Sequence, residues 1–339
     1  MEQSFLEQYE AVRQSSGILD LGSRHKLKAT GGDHLQFLHA MISNDVLGLG
    51  ALQGRHGTLL RPTGKLVADF YYYRFPDHVF IDIAPSVADS FLQTVQKFIV
   101  MDDVSVEDVS ENWGHLSVNG PKSGDLIRAV LNTPGPDRPL GLVQVVWRGE
   151  VCWLIRKSEL SDEGFEIMAP ASSRDDLRKE LVAPRQDFSP VVITTQVADL
   201  LRLERGVPVF GVDMNESNNP IEAGLDDAIS LDKGCYVGQE VVSKATYVGG
   251  VSRYLRSLSI ATDQPVTAGA EVVVEEGKRV GHVTSSAFSP ALGRTVALAY
   301  LKRDYAEPGR RLRIETEQGT YDAAVAQPFQ PADQRGAIH

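Results

Sequence analysis

The sequence changes its periodicity near residue 250, and this change limits the folds open to the chain. Before that point, apolar residues recur at helical spacing in several segments, for example at positions 88, 91, 92, 95, 98 and 99. Beyond it the pattern is that of five or six short strands, with turn residues at Gly277-Lys278 and Gln318-Gly319. Such spacing is typical of a small β-barrel or sandwich. We therefore predict two domains, residues 1–248 and 249–339.

The first domain mixes strands and helices. The stretches Leu66–Phe75 and Val79–Ile83 are predicted strands, and Gly149-Glu150 between two apolar runs indicates a hairpin turn. The segment 86–100 is a predicted helix with Ser86 as its cap. Because these elements show no strict βαβ alternation, the pattern favours an α+β body over a doubly wound sheet.

Composition excludes several classes of function. The chain carries 34 Lys and Arg against 45 Asp and Glu, a net charge of −11, which disfavours nucleic acid as a partner. It has no apolar run near the roughly 20 residues that span a bilayer, and its start lacks a secretory signal, so we expect a cytoplasmic protein without membrane contact. With two cysteines and no CxxC or HExxH, no resident metal site is predicted.

The segment Lys233–Glu240, KGCYVGQE, is the most unusual stretch of the chain. Gly234 and Gly238 flank Cys235, and glycine lets a backbone adopt positive φ and approach other surfaces closely. Lys233 is a cation that favours a thiolate two residues away. Two interpretations remain open on this chemistry alone: a reactive, accessible thiol, or a small cysteine packed in a glycine turn.

KGCYVGQE resembles the signature of the YgfZ family of folate-binding proteins, K-G-C-aromatic-x-G-Q-E, at every specified position: Lys233, Gly234, Cys235, Tyr236, Gly238, Gln239 and Glu240. The chain from about residue 9 to 305 is similar to the wider superfamily of the glycine-cleavage T-protein, an aminomethyltransferase that uses tetrahydrofolate. The segments that carry this similarity are AVRQSSGILDL, Ser43-Asn44-Asp45, GFEI at 164–167, LRLERGVPVFGVD at 201–213 and GHVTSSAFSPALGRTVALAYL at 281–301.

The resemblance implies a fold and a ligand. The fold is a T-protein-like body of interlocked α+β subdomains around a central opening, followed by a C-terminal β-barrel. The ligand is tetrahydrofolate or a one-carbon derivative, with its pterin held by Glu166, since a carboxylate accepts two parallel hydrogen bonds from a pterin edge. Arg202 matches a family arginine and either meets the folate glutamate tail or forms an ion pair on its helix.

Two departures from the T-protein pattern bear on catalysis. Two adjacent acids of the T-protein correspond here to Ala68-Asp69, and the sequence leaves open which of them is catalytic. Asp69 and Cys235 are the candidate catalytic residues, and Asp69 is also a candidate folate-binding residue, since a carboxylate there would help position the folate N5 or N10 nitrogen. Ala198 replaces a second typical residue, an arginine. Together with Cys235 these changes argue against a glycine-cleavage enzyme.

The leading hypothesis is therefore a tetrahydrofolate-binding auxiliary protein that supports assembly or repair of iron–sulfur clusters in other proteins. Its partners are folate and iron–sulfur proteins or their assembly factors. The alternatives are a folate-dependent aminomethyl or one-carbon transferase that retains Asp69, and a scaffold with a vestigial folate site. Whether the chain is an enzyme stays open at this point.

Overall fold

The computed structural model describes residues 4–186, 189–275 and 277–327, and they form two compact units. The first contains the described residues of 4–60, 67–198 and 227–237. The second contains 61–66, 199–226 and the described residues from 238 onward. The segments of the two units alternate along the chain, whereas the sequence analysis predicted one boundary at 248/249. The predicted end of the barrel domain, 328–339, lies outside the described residues.

Seven α-helices are formed by the described residues. They are α1 (Phe5–Gln14), α2 (His34–Met41), α3 (Pro85–Phe98), α4 (Ser123–Leu131), α5 (Arg174–Val182), α6 (Thr195–Glu204) and α7 (Gln239–Lys244). Among these residues, no helix combines the length and the apolarity needed to cross a bilayer.

The first unit contains two sheets. Their strands are β1 (Gly17–Asp20), β2 (His25–Thr30), β3 (Gln53–Leu60), β4 (Leu66–Arg74), β5 (Val79–Ile83), β6 (Ser105–Asp108), β7 (Trp113–Asn119), β8 (Leu142–Trp147), β9 (Glu150–Ile155), β10 (Gly164–Pro170) and β11 (Val191–Val192). One sheet has the order β3-β4-β5-β2-β6, and the other has the order β11-β1-β7-β10-β9-β8. The pairs β4-β5, β5-β2 and β2-β6 of the first sheet are antiparallel. The second sheet is mixed, because β1 pairs with β11 in parallel and with β7 in antiparallel orientation. The described strands therefore show no βαβ winding, as predicted.

The two sheets of the first unit face each other across an aromatic core. Tyr73, Phe75 and Phe80 of the five-stranded sheet cluster with Ile155 and Met168 of the six-stranded sheet. On its other face the six-stranded sheet is covered by α4 and α5, whose leucines are buried against β7, β9 and β10. Polar side chains that are buried between the sheets must therefore find partners within the protein.

Most predicted elements of this unit are confirmed, with local corrections at their ends. The strands predicted at 66–75 and 79–83 are β4 and β5. The predicted cap Ser86 is wrong, because Ala84 occupies the N-cap of α3 and Pro85 fits the first helical position. The hairpin turn is Arg148-Gly149 rather than Gly149-Glu150, because Trp147 pairs with Glu150 and both turn residues have positive φ.

The C-terminal part of the second unit is a closed barrel, which resolves the choice between barrel and sandwich. Its strands are β12 (Arg253–Ile260), β13 (Glu271–Val273), β14 (Arg279–Ser289), β15 (Arg294–Lys302), β16 (Arg311–Thr316) and β17 (Gly319–Val325). They close in the order β12-β15-β14-β13-β16-β17 around a core of valine, leucine, isoleucine and alanine. The turn predicted at Gln318-Gly319 is shifted by one residue, since Thr316 pairs with Gly319.

Candidate functional site

Strand β4 places one acidic and two aromatic side chains on the face that looks into the space between the sheets. Successive side chains of a strand point to opposite faces, so Asp69, Tyr71 and Tyr73 share one face. Ala68 lies on the other face and is fully buried, as is Phe70, whose ring meets Phe91 of α3 at 5.0 Å. The alternation settles which position of the Ala68-Asp69 pair faces the site, and it is the one that retains its acid.

Asp69 lies beside a buried histidine that the sequence analysis did not single out. The carboxylate of Asp69, which is 22% exposed, is 3.6 Å from Nε2 of His56. On the other side of the ring, Nδ1 of His56 is 3.1 Å from the carboxylate of Asp227. Burial alone would lower the pKa of His56, but Asp227 and Asp69 raise it to about 10. The histidine is therefore a cation at neutral pH, held between two carboxylates.

Asn44 fixes this arrangement through the backbone. Its side-chain amide donates hydrogen bonds of 2.9 Å to the carbonyl oxygens of both His56 and Asp227. The neighbouring Ser43 is fully buried, and its hydroxyl donates to the carbonyl of Ala228. The Ser43-Asn44-Asp45 segment, which carries part of the resemblance, thus joins the strand of His56 to the loop of Asp227.

The ring of Tyr71 connects His56 to a second polar cluster. It stacks on the imidazole of His56 with centroids 4.7 Å apart and planes 17° from parallel. The ammonium of Lys157 lies 3.7 Å from the centroid of the same ring. The Tyr71 hydroxyl donates to Glu159, whose carboxylate is 3.4 Å from the Lys157 ammonium. An aromatic ring in contact with two cations is stabilised by its quadrupole, which favours cations over its faces.

Glu166 of β10 lies in this second cluster and is only 3% exposed. One carboxylate oxygen is 3.1 Å from the Lys157 ammonium, and the other is 3.1 Å from Nε2 of His115. Burial would raise the pKa of Glu166, but Lys157 and His115 hold it below its usual range. The predicted pterin ligand is therefore ionised, and both of its oxygens are engaged by protein groups.

Asp82 is the carboxylate that faces the buried cations between the sheets. Its fully buried carboxylate is 2.9 Å from both the Arg24 guanidinium and the Lys26 ammonium and 3.7 Å from the Lys157 ammonium. Burial would raise its pKa, but these cations hold the pKa of Asp82 well below its usual range.

Asp82, His115 and Glu166 bring ligand-type atoms within 4.8 Å of one another. A metal ion there would have to displace ammonium and guanidinium groups from these carboxylates, so the cluster functions as a buried ion-pair network.

Three polar atoms of this region are buried without a hydrogen-bond partner among the described residues. They are Nε2 of His56, Nδ1 of His115 and the hydroxyl of Tyr73. Glu166 and Asp82 both contribute to the raised pKa of Tyr73, after the larger effect of burial. Buried polar atoms of this kind are rare in proteins, and strain, a catalytic role or a bound water or ion accounts for those that occur.

Arg202 belongs to the second unit and is buried. Its guanidinium contacts the carboxylates of Asp199 and Asp213 and donates to the carbonyl of Val207. Asp213 also accepts hydrogen bonds from the hydroxyls of Thr284 and Ser285. These contacts fit the ion-pair alternative for Arg202. A role toward the folate tail stays a prediction.

The KGCYVGQE motif divides into buried and exposed residues. The ammonium of Lys233 donates to the carbonyls of His39, Ile42 and Asn44 at the end of α2 and lies 4.9 Å from the centroid of the Tyr236 ring. Burial lowers the pKa of Lys233 to about 8. The lysine therefore caps a helix C-terminus, and its contacts do not support the expected role of favouring the Cys235 thiolate.

The two cysteines occupy opposite environments. Cys235 is exposed, whereas Cys152 is fully buried in the core between the six-stranded sheet and its helices. Burial raises the pKa of Cys152 to about 11. Gly238, just before α7, has a φ of 83°, a left-handed conformation that favours glycine. Gly234 has open space where a Cβ would lie. Exposure of Cys235 fits the reactive-thiol interpretation better than the packed one.

Comparisons with known proteins agree with this structure over nearly its whole length. Residues 1–233 match the family described as the GCVT N-terminal domain, and residues 253–329 match the glycine cleavage T-protein C-terminal barrel domain. The chain therefore belongs to the glycine cleavage T-protein superfamily. The narrower assignment to the YgfZ family rests on KGCYVGQE and stays a prediction.

The individual relatives are named aminomethyltransferases. The chain is 28% identical to an aminomethyltransferase of Staphylococcus haemolyticus, an alignment that covers 96% of this chain and 90% of the relative. It is 29% identical to an aminomethyltransferase of Koribacter versatilis over 87% of this chain and 79% of the relative. The glycine cleavage system aminomethyltransferase T of Bartonella henselae has the same fold, with a TM-score of 0.87 at 22% identity over 97% of this chain and 90% of that one.

The raised pKa of His56 predicts a pH-dependent contribution to stability. In the folded protein the pKa is about 10, against about 6.5 in the unfolded chain. The contribution is therefore complete below pH 6.5 and is lost as pH rises toward 10. Measured by urea unfolding at pH 6.5 and pH 9.5, the stability difference between wild type and His56→Gln should shrink at the higher pH, by on the order of 2–4 kcal/mol.

His78→Gln is the matched control. Burial lowers the pKa of His78 despite its contact with Asp77, so protonation of this residue does not stabilise the folded state. Because the unfolded chain is only half protonated at this position at pH 6.5, the stability difference between wild type and His78→Gln should change by no more than about 0.4 kcal/mol. A change equally small for His56→Gln would show that His56 is not the cation described above.

Proposed function

We propose that this protein binds a reduced folate, tetrahydrofolate or a one-carbon derivative. It would transfer to this folate the carbon of an aminomethyl group carried on a thiol, with the amino nitrogen leaving as ammonia and the carrier thiol set free, or another one-carbon unit. The observation that carries the proposal is the partly exposed carboxylate of Asp69 on the site face of β4, 3.6 Å from the His56 cation. Ala68, the position that lacks an acid, lies on the opposite face of β4. The lack of an acid at position 68 therefore does not argue against a transferase, whereas the sequence alone had indicated that it did. The aminomethyltransferase relatives favour this function over the iron–sulfur role.

The residues between the sheets fit a folate. A pterin edge presents ring and amino N–H donors together with acceptors, and the carboxylate of Glu166 is a suitable acceptor for the donors. The unpartnered Nδ1 of His115 and hydroxyl of Tyr73 belong to the same region. Binding at Glu166 requires the ligand donors to replace or share the contacts of Lys157 and His115. Glu166 remains the proposed pterin ligand on this basis.

The protein groups then have separate roles. A reduced folate supplies the nitrogen that receives the one-carbon unit. The Asp69 carboxylate stabilises positive charge that develops at that nitrogen, since a fixed anion in a partly desolvated site acts more strongly than in water. His56 is a positioning residue, because its imidazolium is fixed by Asp227 and Asn44 and orients Asp69 from behind.

The first test concerns Asp69. Asp69→Asn keeps the size of the side chain and removes its charge, so tetrahydrofolate binding should be retained. Turnover should fall by about 10²–10⁴-fold, the usual contribution of a group that acts on protons or charge in the transition state. The assay measures ammonia release from an aminomethylated lipoyl carrier protein with tetrahydrofolate present.

Asp89→Asn on the exposed surface of α3 is the control and should leave turnover unchanged. A wild-type protein that binds tetrahydrofolate yet shows no turnover would remove the transferase proposal. Equal turnover of wild type and Asp69→Asn would remove Asp69 from the site.

The second test concerns Glu166. Glu166→Gln should weaken tetrahydrofolate binding by about 10–150-fold, because one charge-assisted hydrogen-bond pair contributes roughly 1.5–3 kcal/mol. Isothermal calorimetry measures the affinity. Glu159→Gln removes another of the carboxylates close to the Lys157 ammonium and should change the affinity much less. Equal losses in the two variants would show that Glu166 acts only through the ion-pair network.

We propose the iron–sulfur auxiliary role as a second candidate function, because the transfer proposed above assigns no role to the exposed Cys235 of KGCYVGQE. Here the partners would be iron–sulfur proteins or their assembly factors, and the thiol would briefly bind iron or exchange with a disulfide or persulfide. This role and folate binding can coexist, since they use different residues.

Substitution of the two cysteines tests this second candidate. Cys235→Ser, at an exposed position, should change stability by less than about 0.5 kcal/mol. In a deletion strain it should fail to restore the activity of several unrelated iron–sulfur enzymes. Cys152→Ser buries a hydroxyl, so it should cost about 1–3 kcal/mol on unfolding and still restore those activities. Full restoration by Cys235→Ser would falsify the functional role of this thiol.

A further inference from the structure

A cleft on the barrel of the second unit is lined by four arginines. Its volume is about 770 Å³, within the range of about 300–1,000 Å³ that is typical of ligand sites. Arg294, Arg310, Arg311 and Arg313 line it, together with the two acids Glu275 and Asp322. None of these residues belongs to the site between the two sheets of the first unit.

Strand pairing explains how the cleft arises. Arg311 pairs with Ala324 and Arg313 with Asp322 across β16 and β17, and Ala324 pairs with Ser259 of β12. Side chains of directly paired residues lie on the same face of the sheet. Small side chains, Ala324 and Ser259, therefore lie next to long arginines, which gives a shallow floor with a cationic rim.

Most of these arginines lack a carboxylate partner among the described residues. Arg313 is 3.7 Å from Asp322, whose side chain is 86% exposed. Arg294 donates to the hydroxyl of Ser259, and the guanidinium of Arg310 lies 5.2 Å from the centroid of the Tyr305 ring. Neither they nor Arg311 form an ion pair within the part of the chain that the structure describes. With four arginines against Glu275 and Asp322, the lining carries a net charge of +2 in a chain with 45 Asp and Glu residues.

The charge of the whole chain restricts what can bind there. Residues 249–327 carry ten Lys and Arg and nine Asp and Glu, a net charge of +1, so the rest of the chain carries −12. A long polyanion such as nucleic acid extends beyond the cleft, and the acidic remainder of the chain disfavours it. A short acidic segment needs only the cleft, because charges more than about 10 Å away are screened at 0.1 M salt.

We propose that this arginine cleft binds an acidic segment of a partner protein that presents several carboxylates. The planar guanidinium matches a carboxylate with two parallel hydrogen bonds, and arginines spread around one floor can bind successive acidic side chains. The surface is additional to the folate site and does not depend on the proposed transfer reaction.

A fluorescent hexaglutamate peptide tests the cleft, with binding followed by anisotropy at low salt. The double variant Arg294→Gln/Arg311→Gln should weaken binding by about tenfold or more, which corresponds to about 1.4 kcal/mol. The control is Arg279→Gln/Lys302→Gln, which removes the same charge from exposed barrel residues outside the cleft. It should change binding by less than about twofold if the effect is local.

Other outcomes would overturn the proposal. Equal losses in the two double variants would show a general charge effect, and the absence of peptide binding to wild type would leave no site. Inorganic phosphate that displaces the peptide at matched ionic strength would indicate a small phosphate ligand instead. A thymidine oligonucleotide that binds more tightly than the peptide, with the same loss in the cleft variant, would indicate a nucleic-acid surface.

Discussion

The first unit depends on a set of charges buried between its two sheets. Asp82 alone contacts Arg24, Lys26 and Lys157, and Glu166 extends the set to His115. Removing such ions from water is costly, and an ion left without its partner destabilises a protein by about 3–5 kcal/mol. The members come from both sheets, so the network is satisfied in only one relative placement of the sheets. That placement also sets the distance between Glu166 and the face of β4.

Tyr71 joins this network to the surroundings of Asp69. Its ring meets the Lys157 ammonium on the Glu166 side and the His56 imidazolium on the Asp69 side. The two carboxylates that the resemblance assigns to folate chemistry are thereby held in one rigid chain of contacts. If a ligand took the place of Lys157 at Glu166, as proposed, it would also change what Tyr71 contacts, and recognition of the ligand would then be coupled to the environment of His56.

Much of the fold could be predicted from the sequence because its signals are local. The alternation in the barrel strands, the aromatic run of β4 and the apolar face of α3 each lie within one element, and all three are confirmed. The site could be predicted only in part. Asp69 and Glu166 were found through short motifs, but His56 and Asp227 are 171 residues apart and neither lies in a distinctive pattern. The sequence signal that could have shown which side chains of β4 face the site is strand alternation, because it places Asp69, Tyr71 and Tyr73 on one face.

The motif KGCYVGQE shows how structure divides a recognised pattern into residues with different reasons for being there. Lys233 caps α2, Tyr236 is buried beneath the lysine ammonium, and Gly238 adopts a backbone conformation that favours glycine. Gly234, Cys235 and Glu240 are exposed, and Gly234 has neither a positive φ nor a close neighbour that excludes a side chain. The fold explains Lys233, Tyr236 and Gly238. The fold does not explain the exposed residues, and Cys235 is the one among them whose side chain can act as a nucleophile.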